Sequence, residues 1–293
     1  MIKHCLIADL HVVVETEDSE LLSSLGTRYS PFCHEADACK DIPVLFRLKH
    51  CDRFQPLTDA KLMSRFECEG SDCIYEQTAD RISITLVKTN TDEPIAQMQC
   101  DINFQDAICW LSGNLNRREY GINNFLMMLF AFASMDKQTL LFHASVTSYR
   151  DKAYLFLGKS GTGKSTHSSL WIKYIEGCEL VNDDNPAVGI RDGKVIVYGT
   201  PWSGKTPCYR NVCYPVGAFV RLHQEKENRI EKENPVMAFA SLLPSCSGVK
   251  WDKRLYRAQC DALAEIVGKV NVFNLGCLPD EEAALLCRST VSS

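Results

Sequence analysis

The sequence predicts a mixed α/β protein (α+β in character) in two parts, a β-rich module over residues 1–136 and a mixed-sheet domain over 137–293. Three observations carry this. Up to about residue 115, short alternating apolar runs recur between turn-prone groups. An apolar stretch with helical spacing follows over 120–135. Beyond it, strand-like runs surround one strand, glycine loop and helix passage at 153–177.

In the first part the expected strands are Cys5–Val14, Val44–Leu48, Lys61–Cys68, Cys73–Gln77, Arg81–Val87, Ala96–Cys100 and Ala107–Leu111. EGSD and NTDEP are typical breaks between them, and the spacing predicts an antiparallel meander. No catalytic constellation is visible here. His4, His11, His34 and His50 stand singly and read as surface or satisfied core histidines. The helix Tyr120–Met135 places Phe125, Leu126, Met128, Leu129, Phe132 and Ala133 at helical spacing, which predicts a buried element closing the module.

Bulk properties exclude several classes. The net charge is −5 and no dense basic run offsets it, so nucleic acid is not an expected partner. The start, MIKHCLIADLH, turns polar too early for a secretory signal. The longest apolar run, Phe125–Met135, is too short to cross a bilayer. A cytoplasmic protein without a membrane partner is expected. Its 15 cysteines are odd in number and scattered, without a C-x-x-C spacing, and read as reduced and mainly buried thiols.

The second part opens with the strand Thr139–Tyr149, a turn at Tyr149–Lys152, and the strand Ala153–Leu157. That strand feeds GKSGTGKST, Gly158–Thr166, which fits G-x-x-x-x-G-K-[ST] at every fixed position. The glycines allow a tight loop whose backbone N–H groups converge on an anion, and the helix that follows adds its positive end. Gly158, Ser160, Gly161, Thr162, Gly163, Lys164, Ser165 and Thr166 are therefore the expected nucleotide-binding residues. Lys164 would reach the outer phosphates and Ser165 a Mg²⁺ ion. Antiparallel pairing across the turn brings residue 143 opposite about 157 or 158, which sets His143 beside the loop.

After the helix comes CELVNDDNPAV. A strand, helix and parallel strand bring both strand ends to one sheet edge, so Asp183 and Asp184 fall beside the loop. Two carboxylates there suit metal coordination, general-base work or both; the plainer reading is a solvated turn. AVGI and VIVYG form a hairpin turning at Asp192-Gly193, and its extended register sets Asp184 opposite about Pro201. The loop Gly199–Lys205 would then cover the carboxylates, with Lys205 a candidate phosphoryl-binding cation and Trp202 read as packing. Val216–Leu222 and Val270–Leu275 read as strands, Pro235–Leu243, Lys253–Val267 and Asp280–Arg288 as helices, and HQEKENRIEKENP as an exposed connection.

The ordered set FHAS, GKSGTGKST, LVNDDN and GTPWSGK resembles the superfamily of HPr kinase/phosphorylase and phosphoenolpyruvate carboxykinase. The resemblance covers about Thr139–Lys205, and the aspartate pair 18 residues beyond Ser165 is its most specific feature. It implies a mixed-sheet phosphate-loop kinase core, ATP or a related nucleotide, Mg²⁺, and phosphoryl transfer to a hydroxyl, serine first, of a peptide, protein or small molecule. It further implies Asp183 as general base, Asp184 with Ser165 at the metal, and His143 at the metal or the phosphoryl group. Thr166 stands where HPr kinases carry glutamate, and their arginine-glycine signature is absent, so a true HPr kinase is not expected. A regulatory nucleotide-binding module without turnover and a small carboxykinase-like lyase stay open as alternatives, as does a homo-oligomer.

Overall fold

The computed structural model describes residues 1–53, 55–68 and 70–292. The chain divides into two compact units, Met1–Ser134 with Lys250–Asp252, and Met135–Val249 with Lys253–Ser293. Each is a mixed α/β unit with its own mixed sheet.

The first unit begins with a hairpin, β1 (Ile2–Ile7) and β2 (Leu10–Glu15), where the sequence suggests one strand. Ala8 and Asp9 both have positive φ, 50° and 62°. That is the two-residue turn whose twist suits a hairpin, but it usually carries Asn or Gly, so the apolar run concealed it. Four short elements follow: α1 (Ser19–Ser24), α2 (Gly26–Tyr29), β3 (Cys33–His34) and α3 (Ala36–Cys39). They are too brief to show a period, and sequence reading assigns nothing there.

After β4 (Val44–His50), the strands β5 (Lys61–Cys68), β6 (Ser71–Gln77), β7 (Arg81–Lys88), β8 (Pro94–Asp101) and β9 (Asp106–Leu111) form the expected antiparallel meander. The sheet as a whole is not a meander. β9 pairs parallel with β4, and β4 parallel with β2, giving the order β3-β1-β2-β4-β9-β8-β7-β6-β5. α4 (Leu115–Ala133) starts at Asn114, whose side chain accepts from the Arg117 N–H, and packs on β4, β8 and β9. A Cβ at Gly121 would sit 2.8 Å from that of Ala96, so this glycine sets the close approach of helix to sheet.

The second unit runs β10 (Thr139–Leu141), β11 (Ala144–Tyr149), β12 (Lys152–Leu157), α5 (Lys164–Tyr174), β13 (Glu179–Asp184), β14 (Ala187–Arg191), β15 (Lys194–Tyr198), β16 (Cys213–Gln224), β17 (Arg229–Lys232), α6 (Pro235–Leu242), α7 (Lys253–Lys269), β18 (Val272–Cys277) and α8 (Glu281–Val291). The charged stretch after β16 is thus partly a strand, β17, laid antiparallel on β18. The single strand expected over 139–149 is broken at Phe142–His143: β10 pairs with β14, whereas β11 pairs with β12 and β13. At the break the His143 N–H donates to Ser245 O at 2.7 Å.

β11 lies between β12 and β13, antiparallel to both, so β12 and β13 run in the same direction and end at one sheet edge. On β12's other side β16 pairs parallel, with Arg221 level with Leu157. One face of this sheet, carrying Tyr154, Phe156, Ala218 and Val220, forms a core with Trp171 of α5 and with Ala284 and Cys287 of α8. Trp171 is fully buried, 5.0 Å from the Tyr154 ring and 5.2 Å from Phe156. A core aromatic of this kind contributes roughly 3–5 kcal/mol relative to alanine. It also fixes α5 against β12, and so fixes the loop between them.

Candidate functional site

The loop between β12 and α5 is shaped by three glycines at positive φ: Gly158 at 154°, Gly161 at 80° and Gly163 at 108°. Side chains strain this backbone, which is why glycine recurs there. Thr162 closes the loop by donating its N–H and its hydroxyl to Lys159 O, at 3.1 and 2.7 Å. Among the described residues, the N–H groups of Lys159, Ser160, Gly161 and Gly163 bond to no other part of the chain. With the N-terminus of α5, whose N-cap is Gly163, they form a concavity of outward donors that attracts an anion.

Lys164, the first residue of α5, turns back over the loop. Its Nζ donates to Gly158 O at 3.1 Å and to His143 Nε2 at 2.9 Å. An ammonium only donates, so Nε2 accepts and Nδ1 carries the proton. Nδ1 in turn faces Asp184 Oδ1 at 2.9 Å. Partial burial lowers the Lys164 pKa, and the nearby Asp184 and Asp183 carboxylates oppose that shift without cancelling it. A desolvated cation over a ring of N–H donors binds phosphate more strongly than an exposed one.

Asp183 faces the loop's other end. Ser165 Oγ donates to Asp183 Oδ1 at 2.8 Å. Asp183 is 3% exposed, and its Oδ2 is buried without a hydrogen-bond partner. Asp184 is placed differently. Its side chain is 17% exposed, Oδ2 accepts from Asn185 Nδ2 at 2.7 Å, and its φ is +146°. A non-glycine residue held there is strained, and such strain collects at functional sites.

The turn that holds both aspartates rests on a buried amide network. Asn182 Nδ2 donates to Thr200 Oγ1 at 3.2 Å, and Asn182 Oδ1 accepts from the Asn185 N–H at 3.0 Å. Asn182 interrupts the apolar run in sequence because it ties β13 to the loop after β15. Two glycines let that loop approach. A Cβ at Gly199 would lie 2.0 Å from Arg210 O, and one at Gly204 would lie 3.0 Å from Asp183 O. Ser203 bridges to Asp184, two positions beyond the expected opposition to Pro201, because the loop bulges past the end of the hairpin register.

His143, Lys164, Ser165, Asp183 and Asp184 are therefore joined by direct contacts. Gly158, Gly161, Thr162 and Gly163 shape the loop, while Ser160 and Thr166 stand exposed on it. Lys205 is not drawn in: it is exposed and makes no hydrogen bond or ion pair among the described residues. Trp202 is buried at 2% exposure. Both ring nitrogens of His143 are engaged, and each Asp184 oxygen accepts one hydrogen bond and keeps a further lone pair. Asp183 Oδ2 is buried and has no hydrogen-bond partner. No group of three or more His, Cys, Asp or Glu side chains among the described residues forms a metal cage. Mg²⁺ does not need one, because it is commonly held by one or two protein oxygens together with phosphate and water.

Two clefts flank the loop. One, of about 600 Å³, is walled by Gly161, Gly163, Thr166, Leu170, Leu222 and Pro279, and has room for a nucleoside beside the helix start. The other, of about 420 Å³, lies between Gly158–Thr162 and Arg221–Gln224. Arg221 donates to Ser241 Oγ at 3.2 Å, and Ser241 donates to Glu233 Oε1 at 2.9 Å. No carboxylate lies within ion-pair distance of Arg221 among the described residues; Glu233 is reached only through Ser241, and Arg221 lines the cleft. Sequence reading missed Arg221, which stands 56 positions beyond Ser165. Its only signal is the parallel register with Leu157, which cannot be read before the strand order is known.

No family model and no curated protein matches the chain. Among solved structures it is similar to the Hpr(Ser) kinase/phosphatase from Coxiella burnetii, at 15% identity over 52% of this chain and 93% of that one, with a TM-score of 0.32. The likeness is distant at most, and function has to be argued from the site. No helix among the described residues is long and apolar enough to cross a membrane.

Proposed function

We propose that the second unit transfers a phosphoryl group from a nucleoside triphosphate to a hydroxyl, with Mg²⁺. One observation carries the reading: Lys164–His143–Asp184 and Ser165–Asp183 contacts join three sequence-distant segments over one anion-attracting loop. A chance glycine turn would not recruit a buried carboxylate with a free oxygen to its helix start.

The roles follow from chemistry. The loop N–H groups and Lys164 hold the phosphate chain, and Arg221 adds charge from the neighbouring strand. Ser165 and Asp183 would hold Mg²⁺, which supplies neutralising charge at the phosphate oxygens. Asp184, the more accessible carboxylate, accepts the acceptor's proton while its oxygen attacks phosphorus and the bond to the nucleoside diphosphate breaks. His143 orients Asp184 through Nδ1–H and keeps Lys164 aimed at the loop. Asp183 and Asp184 thus exchange the roles the resemblance implies, because Asp183 is the one on Ser165.

The test is calorimetric titration with Mg-ATP, Mg-GTP and Mg-pyrophosphate, followed by measurement of nucleoside diphosphate formation with serine peptides and small hydroxyl acceptors. Nucleotide binding with acceptor-dependent diphosphate formation supports the reading. Binding without turnover on any acceptor points to a regulatory nucleotide module, and no binding overturns the site.

A further inference from the structure

The first unit carries chemistry unrelated to the phosphate loop. We propose that Cys5 and Cys33 form an oxidative modification site, a dithiol that a low-molecular-weight disulfide converts into an intramolecular disulfide. Two geometric facts support this. Cys5 of β1 and Cys33 of β3 are directly opposed in the antiparallel register. Their sulfurs lie 3.1 Å apart. Residues facing one another across such a pair have Cα atoms about 4.5–5.5 Å apart, within the span a disulfide bridges without moving the backbone.

Burial sets the order of events. Cys5 is 1% exposed, whereas Cys33 is partly open to solvent, so an incoming reagent meets Cys33 first. The hydrogen bond between the two thiols lowers the Cys33 thiol, against the opposing effect of burial and with help from the Lys3 cation. Cys5 is shifted upward by the same bond and by burial. Cys33 is thus the nucleophile and Cys5 the resolving thiol. The Cys33 thiolate attacks one sulfur of the reagent disulfide, the S–S bond breaks, and one reagent thiolate leaves. Cys5 then releases its proton and its sulfur attacks Cys33 in the mixed disulfide, expelling the second reagent thiol. Two protein thiols are oxidised, and one reagent disulfide is reduced to two thiols.

The bond would act on an edge. β3 ends the sheet order, is two residues long, and among the described residues pairs only through His4–His34 and Cys5–Cys33. A covalent link at the second pair locks it to β1 and shortens the unfolded chain's freedom between the two cysteines.

The experiment uses the full chain and oxidised glutathione, with peptide mapping under non-reducing conditions and thermal melting. The expected result is a cross-link joining the Cys5 and Cys33 peptides, two hydrogens lighter than their sum, with a higher melting temperature. Cys5→Ser should trap a glutathione adduct on Cys33. Cys33→Ser should remove the cross-link and leave Cys5 unmodified, and Cys39→Ser should change nothing. Exposed Cys213 serves as a control for reagent competence. A Cys213 adduct with no Cys5–Cys33 link, or a link from Cys33 to Cys39, overturns the proposal.

Discussion

Asp183→Asn separates the proposed site from a structural carboxylate by losing turnover while the fold stays near its parent stability. Asp183 is buried, Oδ1 accepts from Ser165, and Oδ2 has no partner. Asn has nearly the same shape and keeps the Ser165 contact through its own oxygen. What changes is that a buried charge with one unmet oxygen becomes a neutral amide. Removing a buried charge is favourable, but the amide Nδ2 takes the unmet oxygen's place and leaving it unmet costs about 1–3 kcal/mol in turn, so stability without ligand should stay within about 1 kcal/mol of the parent. For a unit of this size that is a melting temperature within about 2–4 °C of the parent. Activity should change far more. Loss of the carboxylate proposed to hold the metal should lower Mg²⁺-dependent turnover at least ~10²-fold, equivalent to about 3 kcal/mol of transition-state stabilisation. Thermal melting with and without Mg-nucleotide, paired with a diphosphate-release assay, reads both quantities. If Asp183 only ties β13 to α5, Asn keeps that tie and the variant should turn over normally. That outcome would refute the argument.

Three further outcomes are expected. Lys164→Met should reduce nucleotide affinity at least ~10-fold by calorimetry, since it removes the desolvated cation over the loop. Arg221→Met should weaken triphosphate binding by about as much, with partial rescue in Arg221→Lys, whereas Lys205→Ala should stay within roughly twofold of the parent. His167 is a pH marker for the packing behind the loop. Burial pushes its imidazole down to about 4, and Nε2 accepts from Trp171 Nε1 at 3.1 Å. Its folded pKa lies below the ordinary value of 6.5, so its contribution is complete above pH 6.5 and is lost as pH falls through about 4. The loss is on the order of 3 kcal/mol, and the difference in melting between the parent and His167→Gln across that range isolates it from carboxylate titration.

The chemistry of the loop was legible in the chain because its signal is local. Gly158, Gly161 and Gly163 are demanded by backbone geometry within a few bonds, and Lys164 and Ser165 follow at fixed offsets on the helix start. His143 and Asp183–Asp184 were legible one step further out, through a four-residue turn and a strand–helix–strand unit whose registers propagate over short distances. The meander β5–β9 was readable for the same reason, since alternation and turns are neighbour effects. Where neighbour effects ended, so did legibility. The Ala8-Asp9 turn used residues without turn character, the parallel pairs β2–β4 and β4–β9 left no pattern, and the break at Phe142–His143 depends on partners more than forty positions away. By itself the sequence determined that a glycine-shaped loop with the phosphate-binding pattern precedes a helix, and which side chains are candidates to act beside it. Only the tertiary structure decided that Asp183 meets Ser165 while Asp184 meets His143, that Arg221 stands beside the loop, and that Lys205 does not. Those outcomes depend on strand order and on how closely one loop can approach another, and long-range packing sets both.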